Sequence, residues 1–418
     1  MHFSRPLLDA CTAALAAVLP LQEPADAALS AFFRGHPKIG QRDRAVIADS
    51  VYAALRRRRL LGSLAGTTSP RCLALATWTL LLGASLREIE PWLRGEEPQW
   101  LAGVKRAAAA AQPFEVQCEL PDWVIEKLRQ RFDEPALLQV ARGLAQTAPL
   151  DLRVNSMKMT REAAARRLAD DGISAAITPY SPDGLRLAGR PAINRHPVFL
   201  EGGVEVQDEG SQLLCHLVAP KRGEMVVDFC AGAGGKTLAL GALMRSTGRL
   251  YAFDISPKRL AGLKPRLARS GLSNVHPQRI EGVNDARVKR LGGKIDRVLV
   301  DAPCSGLGTL RRNPDMKWRQ KPEDIVELAG KQTSLLAAAA KLVRPGGRIV
   351  YATCSILEDE NREVAEAFLA SHAQFRLVPA VEVLGKERIE LETGEYFEVW
   401  PHIHGTDGFF AAVFERGS

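Results

Sequence analysis

The chain lacks the cysteine patterns that mark a metal site or a disulfide framework. Its seven cysteines, at positions 11, 72, 118, 215, 230, 304 and 354, include no C-x-x-C pair and no Cys/His group at zinc spacing. An odd and scattered set excludes a secreted disulfide scaffold and points to free thiols in a reducing compartment. A cytoplasmic location and no bound metal are therefore expected. Long apolar runs are missing too: no stretch approaches the roughly 20 residues that cross a bilayer, so no membrane partner is expected. The opening MHFSRPLLDACTAALAAVLP superficially resembles a secretory signal, but Asp9 interrupts its apolar run and an Ala-rich amphipathic helix explains it better. Nor is there a strong charge of either sign. Lys and Arg number 56 against 48 Asp and Glu, a surplus of 8, which permits a nucleic-acid partner without requiring one.

The 418 residues, 46% hydrophobic and 25% charged, leave room for two or three ordinary globular domains. Residues 1–140 read as helix after helix, with LLDACTAALAAVL, RDRAVIADSVYAALRRRRLLGSLA, PRCLALATWTLLLGASL and PDWVIEKLRQRF at helical spacing and Pro or Gly between them. The run Arg56–Arg59 suits either an RNA-facing patch or a solvated helix end. Residues 141–220 change texture. PLDLRVNSMKM reads as a strand, TREAAARRLADDGI as a helix capped by Thr160, and VFLEGGVEVQDEGSQLLCHLV turns from strand to helix near Gln207-Asp208. This is a small α+β unit. From 221 to 418 strands alternate with helices: EMVVDFC, KTLALGALM, RLYAFDIS, PKRLAGLKPRLARSG, IDRVLVDAP, PEDIVELAGKQTSLLAAAAKLV and GRIVYATCS. That alternation predicts an α/β, doubly wound, Rossmann-like sheet with its ligand beyond the carboxyl ends of the strands.

VVDFCAGAGGKT at 226–237 nearly fits two nucleotide signatures. A P-loop would open on glycine where Cys230 stands, and a dinucleotide fingerprint would place its third glycine at Thr237. Acids surround the loop: Asp228, Asp254 and Asp301 close three strands, and Asp285 lies in the loop GVNDAR. A triphosphate would want cations there. Glycines that let a ligand approach the backbone, ringed by carboxylates, suit a nucleoside with positive charge. S-adenosylmethionine fits, with Asp254 placed for the ribose hydroxyls; spacing alone leaves NAD open.

DAPCSG at 301–306 and YATCSI at 351–356 put Cys304 and Cys354 just past two strands of the same sheet. A thiol beside a methyl donor has a specific use. Carbon 5 of a pyrimidine is a poor nucleophile until a thiolate adds to carbon 6 and makes the ring an enamine. Asp301 is placed to engage the ring nitrogen at position 3. Either cysteine could be the nucleophile on this reasoning. Arg311, Arg312, Lys317 and Trp318, in LRRNPDMKW, interleave cations with an aromatic as single-stranded RNA binders do.

FCAGAGGKT, FDIS, VDAPCSGLGTLRRNPDMKW and YATCSI resemble the motifs of the RNA cytosine-5 methyltransferases of the Sun/Fmu (RsmB-like) family, with Ala233 where the family usually has proline. LRVN at 152–155 and VQDEGSQ at 206–212 are similar to that family's small RNA-binding subdomain, and DGFFAAVFER to its last strand. The N-terminal helices resemble a NusB-like RNA-binding domain. The resemblance implies S-adenosylmethionine held by Cys230, Ala231, Gly232, Ala233, Gly234, Gly235, Lys236, Asp254, Asp285 and Asp301. It implies Cys354 as the nucleophile and Cys304 in product release, with Asp301 at the base. It implies ribosomal RNA, most simply 16S, as substrate; a monomer is the expected state. A catalytically silent RNA-binding assembly factor on the same fold is the alternative, against which the intact thiols speak.

Overall fold

The computed structural model describes residues 3–417. The chain divides into two compact units, one of residues 1–146 with 310–321, the other of residues 147–309 with 322–418.

Helices Arg5–Val18, Ala25–Gly35, Gln41–Arg56, Arg58–Ala65, Pro70–Leu80, Glu97–Ala108, Asp122–Arg129 and Glu134–Ala145 make up most of the first unit. Their starts follow local chemistry. Ser4 accepts from the Leu7 amide and Asp133 from the Ala136 amide, each with proline in the first turn behind it. Leu7, Leu8, Cys11, Leu15 and Val18 form one buried stripe, as helical period demands. Trp78, fully buried in the same core, satisfies its indole by donating to Ser50 Oγ at 3.0 Å. The helix Glu134–Ala145 runs across residue 140.

The second unit opens with a small antiparallel sheet: β1 (Leu150–Val154), β2 (Ala175–Ile177), β3 (Gly184–Leu187) and β4 (Val204–Val206), in the order β2-β3-β1-β4. Helix Arg161–Asp170 covers it, and Thr160 caps that helix by accepting from Ala163 N, as its sequence predicts. After β4, Asp208 caps helix Glu209–Val218 by accepting from Gly210 N. Asp208 also accepts from Asp407 N at 3.1 Å, which ties this turn to the far end of the chain.

The large sheet holds β5 (Met225–Asp228), β6 (Arg249–Asp254), β7 (Val275–Arg279), β8 (Ile295–Asp301), β9 (Val343–Thr353), β10 (Phe375–Val378), β11 (Phe397–Val399) and β12 (Phe409–Arg416). Its order is β10-β12-β9-β8-β5-β6-β7, with β11 paired to β12. Strands β5 to β9 run parallel, and β10, β11 and β12 add antiparallel. Two apolar clusters fill its faces, one around Leu238, Leu263 and Leu299, the other around Phe253, Leu336 and Tyr351. The chain winds from β5 outward to β7, then crosses to β8 on β5's other side. The strand order reverses there, so a crevice opens past the carboxyl ends of β5 and β8.

Candidate active site

The loop after β5 is shaped by two left-handed glycines, Gly232 at φ 56° and Gly234 at φ 85°. A Cβ on Gly234 would sit 2.1 Å from Leu263 Cδ1, so helix Pro257–Ser270 can pack only against glycine there. Gly232 N donates to Asp254 Oδ2 at 2.8 Å, and the other carboxylate oxygen takes Ser256 N at 2.7 Å and Arg259 at 3.1 Å. Asp254 thus sets the loop as well as closing β6. Asp228 is buried; its Oδ2 accepts from Thr237 Oγ1 at 2.6 Å, while Oδ1 has no partner among the described residues. Burial, helped by the charges of Asp301 and Asp254, pushes its carboxyl up to about 7.

Lys236 Nζ lies 2.8 Å from Asp301 Oδ2 and 5.8 Å from the centre of the Phe409 ring. Burial alone would lower this lysine, but Asp301 outweighs it and holds the ammonium above its ordinary value. The side chain of Lys236 therefore serves Asp301. Cys230 is pushed up, first by burial and then by Asp301 and Asp228, which makes it a neutral lining group. Asp285 caps the short turn Ala286–Lys289, accepting from Glu281 N at 2.9 Å and Arg287 N at 2.8 Å. Its carboxylate is engaged within its own loop.

Cys304 follows β8 and Cys354 follows β9, neighbouring parallel strands. Their sulfurs stand 3.3 Å apart as free thiols, and Cys354 N also points at Cys304 Sγ at 3.3 Å. The hydrogen bond with Cys354, then burial, raises Cys304 well above an ordinary thiol. Cys304 therefore keeps its proton. The loops are locked together by Gly308 N donating to Cys354 O and Gly408 N to Gly308 O, both at 2.8 Å. Sequence reasoning missed Glu360, a buried carboxylate that accepts from the Ser305 amide at 2.8 Å and from Ser355 Oγ. The only sequence signal was an acid six residues beyond Cys354 among other acids, in EDEN.

One expectation fails. Lys317 and Arg311 are buried in the helical unit; Lys317 Nζ donates to Arg56 O at 3.0 Å, and Trp318 Nε1 to Leu55 O at 3.2 Å. Burial pushes Lys317 down to about 7, against the pull of Glu119. Lys317 and Arg311 are core and Trp318 is half-buried, because segment 310–321 packs with the helices of the first unit. The four arginines of the run are half-buried. Arg56 donates to Gln146 O and Arg311 O at 3.2 Å, and Arg59 to Asp122 at 2.6 Å. Arg58 lies over the Trp318 ring.

A positive-φ glycine turn, a buried carboxylate oxygen awaiting a donor, and acids at three strand ends fit a cationic nucleoside and repel a polyphosphate. The fold and this crevice define a Rossmann-like methyltransferase whose cofactor is S-adenosylmethionine.

The family profile described as "16S rRNA methyltransferase RsmB/F" matches residues 215–415, and that described as "Methyltr_RsmF/B-like, ferredoxin-like domain" matches 120–194. A "Probable ribosomal RNA small subunit methyltransferase B" of Synechocystis sp. is 37% identical over 302 residues, 72% of this chain and 67% of that protein. The solved structure of PH0851 is 26% identical with a TM-score of 0.78, covering 100% of both chains. NSun6 from Pyrococcus horikoshii with SFG, 20% identical with a TM-score of 0.63, covers 71% of this chain and 98% of its own, and shares the fold. The matches span about two thirds of the length of the curated relatives, 67%, 65% and 65% for three of them. This chain belongs to the RsmB/F methyltransferase family.

Proposed function

We propose that the protein methylates carbon 5 of a cytosine in RNA, most simply 16S ribosomal RNA, through a transient bond between Cys354 and the base. The observation that carries this reading is the thiol pair, 3.3 Å apart at the ends of β8 and β9, with Asp301 closing β8 three residues before Cys304. A methyl donor alone needs no thiols; a pyrimidine carbon does. S-adenosylmethionine, when bound, supplies an electrophilic methyl group on a sulfonium. The residues that would hold it are the turn Cys230–Gly235 with Asp228, Asp254 and Asp285, and with Asp301 bridged to Lys236.

In the covalent step the Cys354 sulfur forms a bond to carbon 6, and the ring electrons move to carbon 5, which becomes nucleophilic. Asp301, 2.8 Å from the Lys236 ammonium, is the group that would share a proton with nitrogen 3 of the base, neutralising the negative charge that develops there. Once carbon 5 carries its methyl group, a base removes the carbon 5 proton, the sulfur–carbon 6 bond breaks, and Cys354 returns to thiolate. Cys304, within hydrogen-bond reach of Cys354, assists that release. The base must leave its stack to reach thiols set at a strand edge. The small sheet β2-β3-β1-β4 and the N-terminal helices, which resemble a NusB-like domain, would supply RNA contact; the names of the relatives support an RNA substrate, and the matched ferredoxin-like segment supports the small sheet's part in it.

The test is bisulfite sequencing of 16S RNA incubated with the protein and S-adenosylmethionine. A single protected cytosine is expected, absent with Cys354→Ala, whereas Cys304→Ala should accumulate protein–RNA complex. Methyl label on any other base, or on protein alone, would overturn the proposal.

A further inference from the structure

Glu360 is fully buried at the start of helix Arg362–Ser371, where a carboxylate contributes nothing to apolar packing and is costly unless fully bonded. It is fully bonded, and by donors from three separate elements. Oε1 takes the Ser305 amide at 2.8 Å, from the loop after β8, and Gln332 Nε2 at 3.1 Å, from helix Pro322–Leu342. Oε2 takes the Ser355 hydroxyl, from the loop after β9. Gln332 donates further to Pro303 O at 2.9 Å. Because Ser355 spends its one proton on Glu360, the 3.1 Å contact between the two serine hydroxyls must be donated by Ser305. Leu357 N completes Ser355 Oγ at 3.1 Å. Ser305 and Ser355 are the residues directly after the two cysteines, so each bond acts one peptide away from a sulfur.

We propose that Glu360 is the positioning residue of the thiol pair, fixing the separation of Cys304 and Cys354 by clamping the residue that follows each. It touches neither the base nor the cofactor in this role. The link from spacing to methylation rests on the function proposed above; the spacing itself does not. The negative charge of Glu360 also helps Cys304 keep its proton, after the larger effects of Cys354 and burial.

Two readouts separate these claims. Phenylarsine oxide bridges two close thiols, forming two As–S bonds and releasing one water, and needs neither RNA nor cofactor. The wild-type protein should bind one equivalent and lose it with Cys304→Ala or Cys354→Ala. Glu360→Ala should weaken that binding about ten-fold or more. Ser355→Ala, a smaller change that cuts the same clamp, should weaken it several-fold should Glu360→Ala not fold. Glu360→Gln retains an acceptor for the two N–H donors, and reversal of the hydroxyl protons accommodates its amide, so it should restore binding to within about three-fold of wild type. In methyl transfer the alanine variant should lose kcat by ten-fold or more with KM for RNA little changed, and the glutamine variant should recover most of it. Unaltered arsenical binding in both Glu360→Ala and Ser355→Ala overturns the clamp, as does a glutamine variant as impaired as alanine. Altered arsenical binding with no methyl transfer by the wild type would instead indict the proposed chemistry and leave the clamp standing.

Discussion

At the scale of single residues, Asp228 holds the most exacting position. Its carboxyl is buried beside Asp254 and Asp301, has one oxygen on Thr237, and is pushed up from 3.8 to about 7 by burial. The folded state therefore keeps a proton that the unfolded chain releases between about pH 4 and 7, so this group's contribution to stability declines as pH rises through that window. Asp228→Asn removes the titration. Its Tm should gain on the wild type between pH 5 and pH 8, and its affinity for S-adenosylmethionine should fall at least several-fold, because the amide carries no negative charge and has a single acceptor oxygen where the carboxylate has two. A Tm difference that does not vary with pH would contradict this. The strand-end acids and both thiols are legible in the sequence because short motifs carry them. What Lys236 does is not, since only the fold brings it 2.8 Å from Asp301, a residue 65 positions away.

At the scale of elements, the loops after β8 and β9 approach so closely that a side chain is excluded. A Cβ on Gly308 would lie 2.1 Å from Gly408 O and 2.8 Å from Cys354 O, both backbone atoms. Gly308→Ala should cost about 1–3 kcal/mol in chemical denaturation and misplace Cys354. Gly385, in helix Ala380–Lys386 with nothing within 4 Å, is the contrast: its alanine variant should be neutral or up to about 1 kcal/mol more stable. Equal effects at the two glycines would show that the close approach is absent. The buried strands β5, β6, β8 and β9 are legible as apolar runs. The edge strand β7 is not, because VHPQR is polar and carries Pro277, which only an edge tolerates. β10, at the opposite edge, is only four residues long and carries Arg376, so it too gives a weak apolar signal.

Over the whole molecule, the helical-then-alternating order of the chain was readable from periodicity, and so was the cofactor crevice, because topology alone places it at the strand ends. Segment 310–321 was not. Its mixture of Arg, Lys and Trp looks like an RNA surface in sequence, and only tertiary packing shows that Lys317 and Trp318 satisfy main-chain carbonyls of the helices. Glu360 was hidden for a similar reason: its partners Ser305 and Gln332 lie 55 and 28 positions away. The most direct measurement incubates the protein and S-adenosylmethionine with 16S RNA containing 5-fluorocytosine, whose carbon 5 has no proton to lose. Expected is a denaturation-resistant protein–RNA adduct, with the modified peptide carrying the nucleotide on Cys354. An adduct on Cys304, or none from protein that methylates ordinary RNA, would contradict attack by Cys354.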